Sequence, residues 1–186
     1  MNVTEAIHQR RSVRDYAAAP VAQETLQQLV DAAIQAPSAM NEQPWSFTVI
    51  SNSALLDRIS HESKAHMLAA SKDLPKAGHY SKLLSSEEFH IFYHAPALIV
   101  ISAPSNSRWA VEDCALAAQN LMLAAYAMKL GTCWIGFAQS WLGTIEGKKA
   151  IGISGSLVPV APIIVGHPKG ASSPVPRKQP NIHWID

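Results

Sequence analysis

Cysteine is scarce in this chain. Cys114 and Cys133 are the only two in 186 residues, and they form neither a CxxC nor a zinc-ligand spacing. They read as free thiols in a reducing compartment, with no disulfide framework to define the fold. Charge is also sparse: 16% of residues are charged and the formal net charge is +1, which leaves no broad basic face for nucleic acid. The longest apolar run, Ala95 to Ala103, is far short of the roughly 20 residues a membrane helix needs. The first residues, MNVTEAIHQRR, lack the apolar stretch of a secretory leader. These absences predict a cytoplasmic, non-membrane protein. The sequence also has no GxGxxG, no Walker A spacing, no GxSxG and no HExxH, and no Ser/His/Asp or Cys/His set can be assigned. If the chain is an enzyme, a bound cofactor carries the chemistry.

What is present is apolar. Hydrophobic residues make up 48%, enough to bury a core without disulfides or metals, and the length predicts one domain over residues 1–186. Asn2 or Thr4 can cap a short first helix. Leu26, Leu29, Val30, Ala33 and Ile34 recur at helical spacing, and Pro37 stops that helix. Trp45 to Ile50 reads as a strand, and Ser53 can cap a short helix through Ile59. Residues 64–92 read as short helices with a mobile surface loop. Ala97 to Ser102 fits a strand buried on both faces. Trp109 to Leu130 reads as the longest helix, with Gly131 as its stop. Between Cys114 and Met128 only Gln119, Asn120 and the Tyr126 hydroxyl are polar. A helix apolar nearly all round needs cover on nearly all sides, so a homodimer with this helix near its interface is expected. Trp134 to Phe137 reads as a turn or short strand, followed by a small helix around Thr144 to Ala150. Val160 to Val165 is a strand that Pro162 pushes toward an edge or a bulge. Helices and strands do not alternate strictly, which favours α+β.

Three of the six arginines fall in Arg10-Arg11-Ser12-Val13-Arg14. Guanidinium groups fork hydrogen bonds onto phosphate or carboxylate oxygens, and cations this close repel unless an anion, or water and salt, lies among them. A solvated basic turn is the plainer alternative. Arg177-Lys178, after Pro176, form a second basic group that could fold back around the same anion or stay solvated. The segment Ala36-Pro37-Ser38-Ala39-Met40-Asn41-Glu42-Gln43-Pro44-Trp45 sets Ser38, Asn41 and Gln43 between prolines that stiffen it. Such a loop can recognise a flat polar heterocycle, or simply bond to its own backbone. In Cys133-Trp134-Ile135-Gly136-Phe137, Gly136 allows close approach to the backbone, and Trp134 and Phe137 could wall a flat ligand or pack around a turn. His90 and His94 have i,i+4 spacing, but no nearby carboxylate pair completes a metal site.

These segments, with Asp113 through Gly136 and Gly166-His167-Pro168, resemble the FMN-dependent nitroreductase family over nearly the whole chain and in the family's order. Residues 64–92 match least, and the chain is short for the family. The resemblance implies an α+β fold with a central, mostly antiparallel sheet flanked by helices, in an intertwined homodimer with two FMN sites at the subunit interface. It implies that Arg10, Arg11 and Ser12 hold the phosphate and ribityl end and that Arg14 reaches the pyrimidine side of the ring. Pro37, Ser38, Ala39 and Asn41 would come from the partner. The backbone around Ile135 and Gly136, beside Trp134, would face flavin N5 and O4, and Arg177 with Lys178 would close on the phosphate. Many relatives have glutamate near the position of Ile135; a role for the backbone N–H would survive that difference. The implied activity is a ping-pong transfer of hydride from NAD(P)H through the flavin to a nitroaromatic, quinone or similar acceptor, with no catalytic side chain. Enone reduction, dehalogenation, flavin fragmentation and non-catalytic binding of a flavin or another anion are the alternatives.

Overall fold

The computed structural model describes residues 1–71, 78–170 and 173–186. Four strands form one sheet: β1 (Ser46–Ile50), β2 (Ala97–Pro104), β3 (Gly131–Trp134) and β4 (Leu157–Gly166). Their order is β1-β2-β4-β3 and every pairing is antiparallel. The helices are α1 (Val3–Gln9), α2 (Gln23–Ala33), α3 (Ser53–Ser71), α4 (Gly78–Leu84), α5 (Ala110–Ala127), α6 (Gly136–Leu142) and α7 (Ile145–Ala150). The α+β expectation holds. Side chains alternate across a strand: Ala97, Ile99, Ile101 and Ala103 of β2 face α2 and α5, while Leu98 and Val100 face α3 and α6. Cover on both faces explains why β2 is continuously apolar. Leu29, Ile99, Leu121 and Ile163 are fully buried on the α2/α5 side, each worth roughly 1.5–3 kcal/mol relative to an exposed side chain.

Asn2 caps α1 by accepting the Glu5 N–H at 2.8 Å, and Thr144 caps α7 by accepting the Gly147 N–H at 3.0 Å. Other elements depart from expectation. α3 runs on to Ser71, twelve residues past the expected end at Ile59. Its buried stripe is Leu56, Ile59, Ser60 and Ser63, and the two serines hide it from an apolar pattern. Ser60 Oγ accepts the Ile91 N–H at 3.1 Å. Asn52, not Ser53, caps this helix, its Oδ1 accepting the Leu55 N–H at 2.8 Å. Residues 84–92 are anchored, with Leu84, Ile91 and Phe92 buried and Lys64 Nζ donating to the carbonyls of Ser86 (2.6 Å) and Phe89 (2.8 Å). The rest of the expected loop, residues 72–77, lies outside the described residues. Pro162 sits in the interior strand β4, opposite Val100, and not at a sheet edge. Its carbonyl accepts the Ile135 N–H at 2.8 Å, one residue beyond the end of β3. In an antiparallel ladder a residue's N–H and C=O face the same neighbour, so the donor proline lacks falls where β3 has already ended. The expected irregularity is nearby: the β2–β4 register shifts between Ile101 and Ser102.

Gly131 is not the stop of α5. The helix ends at Ala127 and Lys129 turns the chain with φ +62°. Gly131 opens β3 and pairs with Gly166 of β4. A Cβ on Gly131 would lie 2.8 Å from the Val13 side chain, and one on Gly166 2.7 Å from the Tyr16 ring. The facing glycines form a dent at the sheet edge in which Val13 and Tyr16 sit. Gly131→Ala is expected to overpack that dent and destabilise the fold by about 1–3 kcal/mol, measured as a lowered denaturant midpoint.

Candidate functional site

The segment after α1 is tied to the β3 edge. The Val13 N–H donates to the Thr132 carbonyl at 3.0 Å, and Ser12 forms a parallel bridge with Thr132. Further on, the Ala17 N–H donates to His167 O at 2.8 Å and the Lys169 N–H to Asp15 O at 3.2 Å. Buried Tyr16 donates its hydroxyl to Val13 O at 2.7 Å. Backbone pairing on both sides makes the arginine segment a fixed strand-like edge.

Along this edge runs an open cleft of about 580 Å³, whose walls include Arg10, Arg11, Ser12, Arg14, Val175 and Arg177. Burial, followed by the nearby Arg177 and Arg11 cations, holds the Arg10 pKa below its ordinary value. The guanidinium remains charged at neutral pH, so this is a half-desolvated cation among like charges. Arg11 folds back on α1, its Nη1 donating to His8 O (2.6 Å) and Arg10 O (2.9 Å). Its Nε is buried without a partner. Arg14 lies over the Tyr93 ring, 6.0 Å from the centroid. Among the described residues, none of Arg10, Arg11, Arg14 and Arg177 has a carboxylate partner. Asp15 at the cleft margin is engaged by Lys169 at 3.5 Å. Lys178 is exposed in the tail and does not line the cleft. Cys133 lies beneath the arginines, and burial raises its pKa against the opposing pull of Arg14, a hydrogen bond with Ser12, and Arg10. Cys114, on α5, is pushed up to about 12 by burial and by Asp113. Both thiols are free and buried.

The loop carrying Pro37, Ser38, Ala39 and Asn41 lies elsewhere. A 3-10 turn spans Ala39–Asn41, and Met40, Asn41 and Gln43 all have φ between +50° and +56°. Left-handed backbone at three non-glycine residues so close together is strained and has to be held by its surroundings. Ser38 Oγ accepts the Gln43 N–H at 2.9 Å, and Asn41 Oδ1 accepts from Gln43 Nε2 at 3.1 Å. Asp113, in the first turn of α5 and 3% exposed, accepts the Ala39 N–H at 2.9 Å through Oδ1. Its Oδ2 is buried without a partner. The arginine segment is at the other end of α5, where Tyr126 donates to Gln9 Oε1 at 2.8 Å. At 1.5 Å per residue, Asp113 and Tyr126 are about 20 Å apart along the helix. Within one chain the loop and the arginines therefore do not meet.

The third segment is divided by strand alternation. Trp134 packs on the α2/α5 side, whereas Phe137 packs on the α3/α6 side, so the two do not wall one space. Phe137 instead joins an aromatic row, with ring centroids 5.8 Å from Tyr80 and 6.3 Å from Phe89; Phe89 is 5.8 Å from Tyr93. This row connects Arg14 to the start of α6. The Ile135 N–H is spent on Pro162. The Gly136 N–H has no acceptor among the described residues, and a Cβ at this position would point into open space.

A family model described as Nitroreductase family matches residues 7–167. The chain belongs to the nitroreductase family. A relative in Methanothermobacter thermautotrophicus, named for NADH dehydrogenase and NAD(P)H nitroreductase, is 30% identical over 174 residues, covering 90% of this chain and 78% of that one. The crystal structure of a nitroreductase with bound FMN from Bacteroides fragilis superposes with a TM-score of 0.87 over the full length of both chains at 26% identity. The fold also extends to an iodotyrosine deiodinase bound to FMN and 3-iodo-L-tyrosine, with TM-score 0.79, 20% identity and full coverage of both chains.

Sequence reasoning did not single out two features of this nitroreductase-family site. Asp113 reads in sequence as an acid in a helix first turn, favourable to the helix dipole, and nothing there points to Ala39, 74 positions away. The aromatic row draws on Tyr80, Phe89, Tyr93 and Phe137, whose spacing follows no single period. Asp113→Ala is expected to release the loop: hydrogen exchange at the Ala39 amide should accelerate by roughly tenfold or more, the worth of one hydrogen bond to a charged group. Unchanged Ala39 exchange would show that Asp113 does not hold the turn.

Proposed function

We propose that this nitroreductase-family protein is a homodimeric FMN oxidoreductase that takes electrons from NAD(P)H and delivers them to a nitroaromatic, quinone or similar small acceptor. The observation that carries the reading is the cleft in which Arg10, Arg11, Arg14 and Arg177 gather with no carboxylate partner. A phosphate dianion fits what these residues lack. It would relieve the repulsion around Arg10 and give the buried Arg11 Nε an acceptor, and the cleft's size falls in the range of small-molecule sites, about 300–1,000 Å³. When bound, FMN supplies two-electron hydride chemistry between the nicotinamide and the acceptor.

The chain's own residues bind and orient. Arg10, Arg11, Ser12 and Arg177 hold the phosphate end, with Lys178 adding charge from the tail. Arg14 serves the ring's polar edge. The Gly136 N–H, which unlike that of Ile135 is uncommitted, offers a donor to the ring from the first turn of α6. Trp134, on the other side of the sheet, contributes packing beneath that strand. Tyr80, Phe89, Tyr93 and Phe137 provide flat apolar surface for an aromatic acceptor. Cys133 and Tyr16 keep their protons, because burial raises both pKa values, so neither acts as a base and solvent supplies the protons of the reaction.

Pro37, Ser38, Ala39 and Asn41 enter from the second subunit. The separation of the two motifs along α5 requires this if both are to touch one ligand. Exposed apolar side chains support the pairing: Met40 is 90% exposed, and Val111 and Leu116 leave one face of α5 uncovered. No helix among the described residues is long and apolar enough to cross a membrane.

The test is anaerobic turnover of the FMN-loaded protein with NADH or NADPH across nitroaromatics, quinones, enones and halophenols. Nitro or quinone reduction is expected to dominate; a dominant halophenol or enone would reassign the chemistry, and no flavin binding would refute the reading. Subunit sharing has its own test. Arg10→Gln and Asn41→Ala proteins, each weak in turnover, are expected to recover about a quarter of parental activity when refolded together in equal amounts, because about half of the dimers are mixed and each of these regains one of its two sites. No recovery would refute the sharing of one site between subunits.

A further inference from the structure

We propose that Asp57, His90 and His94 bind a divalent transition-metal ion of the zinc class. The histidines lie in turns after α4 and not on a helix, yet the fold brings their rings to 4.5 Å between centroids at 32°. From the first turns of α3, Asp57 adds a carboxylate 33 positions away in sequence, its Oδ1 3.2 Å from His90 Nε2. One ligand atom from each of the three residues falls within 4.8 Å of the other two. Around an ion with bonds of about 2.0 Å, tetrahedral ligands are about 3.3 Å apart, close to the observed His90–Asp57 separation. Tyr93 and His94 both adopt left-handed backbone, with φ +52° and +53°, and this conformation carries the His94 ring to its partner. The three side chains border a cleft of about 300 Å³ with Ser51 and Ser53. It shares no lining residue with the arginine cleft, and it has room for water as a further ligand.

The donor set selects the ion. Two imidazoles and one carboxylate suit zinc, nickel or copper, whereas magnesium and calcium require mostly oxygen. The Phe92 N–H donates to His90 Nδ1 at 3.1 Å, which places the ring's single proton on Nε2, pointing at Asp57. A bound ion takes the place of that proton at Nε2. The proton moves to Nδ1 and the Phe92 bond is given up, a loss of about fivefold to a hundredfold in affinity. Binding then links α3 to the segment entering β2 and leaves a signature at the Phe92 amide.

The test uses full-length, FMN-loaded protein freed of any affinity tag and stripped with chelator. Zn²⁺ is titrated by calorimetry and Co²⁺ by visible absorption. The expected result is one ion per chain, ligand-field bands with Co²⁺, a rise in melting temperature with Zn²⁺, and faster exchange at the Phe92 amide. His94→Gln and Asp57→Asn alter exposed side chains and are expected to fold normally. Each should weaken Zn²⁺ binding by more than the roughly 10–100-fold seen for changes in the outer shell of metal sites, while His183→Gln in the tail should not. The proposal is overturned if the parent binds no zinc, if either ligand variant binds as tightly as the parent, or if His183→Gln causes the same loss. Loss of FMN without loss of zinc binding would count against the proposed enzyme activity and leave the metal site standing.

Discussion

The site depends on how the segment from Ser12 to Ala17 is fastened to the sheet. Its backbone pairs with Thr132 and His167, and its two large inward side chains, Val13 and Tyr16, fit over facing glycines that tolerate no Cβ. Free arginines in sequence would spread apart in solvent. Here the edge of a sheet fixes their origins, so the cations stay together and repel one another. The same fastening buries the Cys133 thiol beneath them and keeps it protonated.

α5 sets the second constraint. It is the central helix of one core layer, and it holds one motif at each end: Asp113 grips the strained Ala39–Asn41 turn, and Tyr126 meets the helix that leads into the arginines. A rigid helix of that length keeps the motifs apart within a chain. An antiparallel pairing of two copies would bring unlike ends together, which is how a two-fold assembly makes a complete site from two halves. The apolar residues left uncovered on α5, and Ile182, Trp184 and Ile185 exposed in the tail, are surfaces that such an assembly would use.

The sequence made much of the fold legible. The continuous apolar run in β2, the helical stripe of α2 and the cap at Asn2 each have a local cause that a pattern can reveal. α3 outruns its apolar pattern because Ser60 and Ser63, both buried, break its apolar stripe. Gly131 followed a helix closely enough to look like its stop, though its reason is the Val13 side chain more than a hundred positions away. The arginine cluster and the Ser38–Asn41 loop stood out by composition. Their separation along α5, the commitment of the Ile135 N–H to Pro162, and the approach of the Asp57 carboxylate to His90 are products of long-range packing, and no local spacing encodes them.

The central claim is that the fastened arginines recognise a phosphoryl group. The most direct measurement is the affinity of the apoprotein for FMN and for riboflavin, in the parent and in Arg10→Gln. Charge-assisted hydrogen bonds are worth roughly tenfold to a hundredfold each, so the parent is expected to prefer FMN by at least about a hundredfold, and the variant to lose most of that preference while its riboflavin affinity changes little. Equal binding of the two flavins by the parent, or an undiminished preference in Arg10→Gln, would contradict the account.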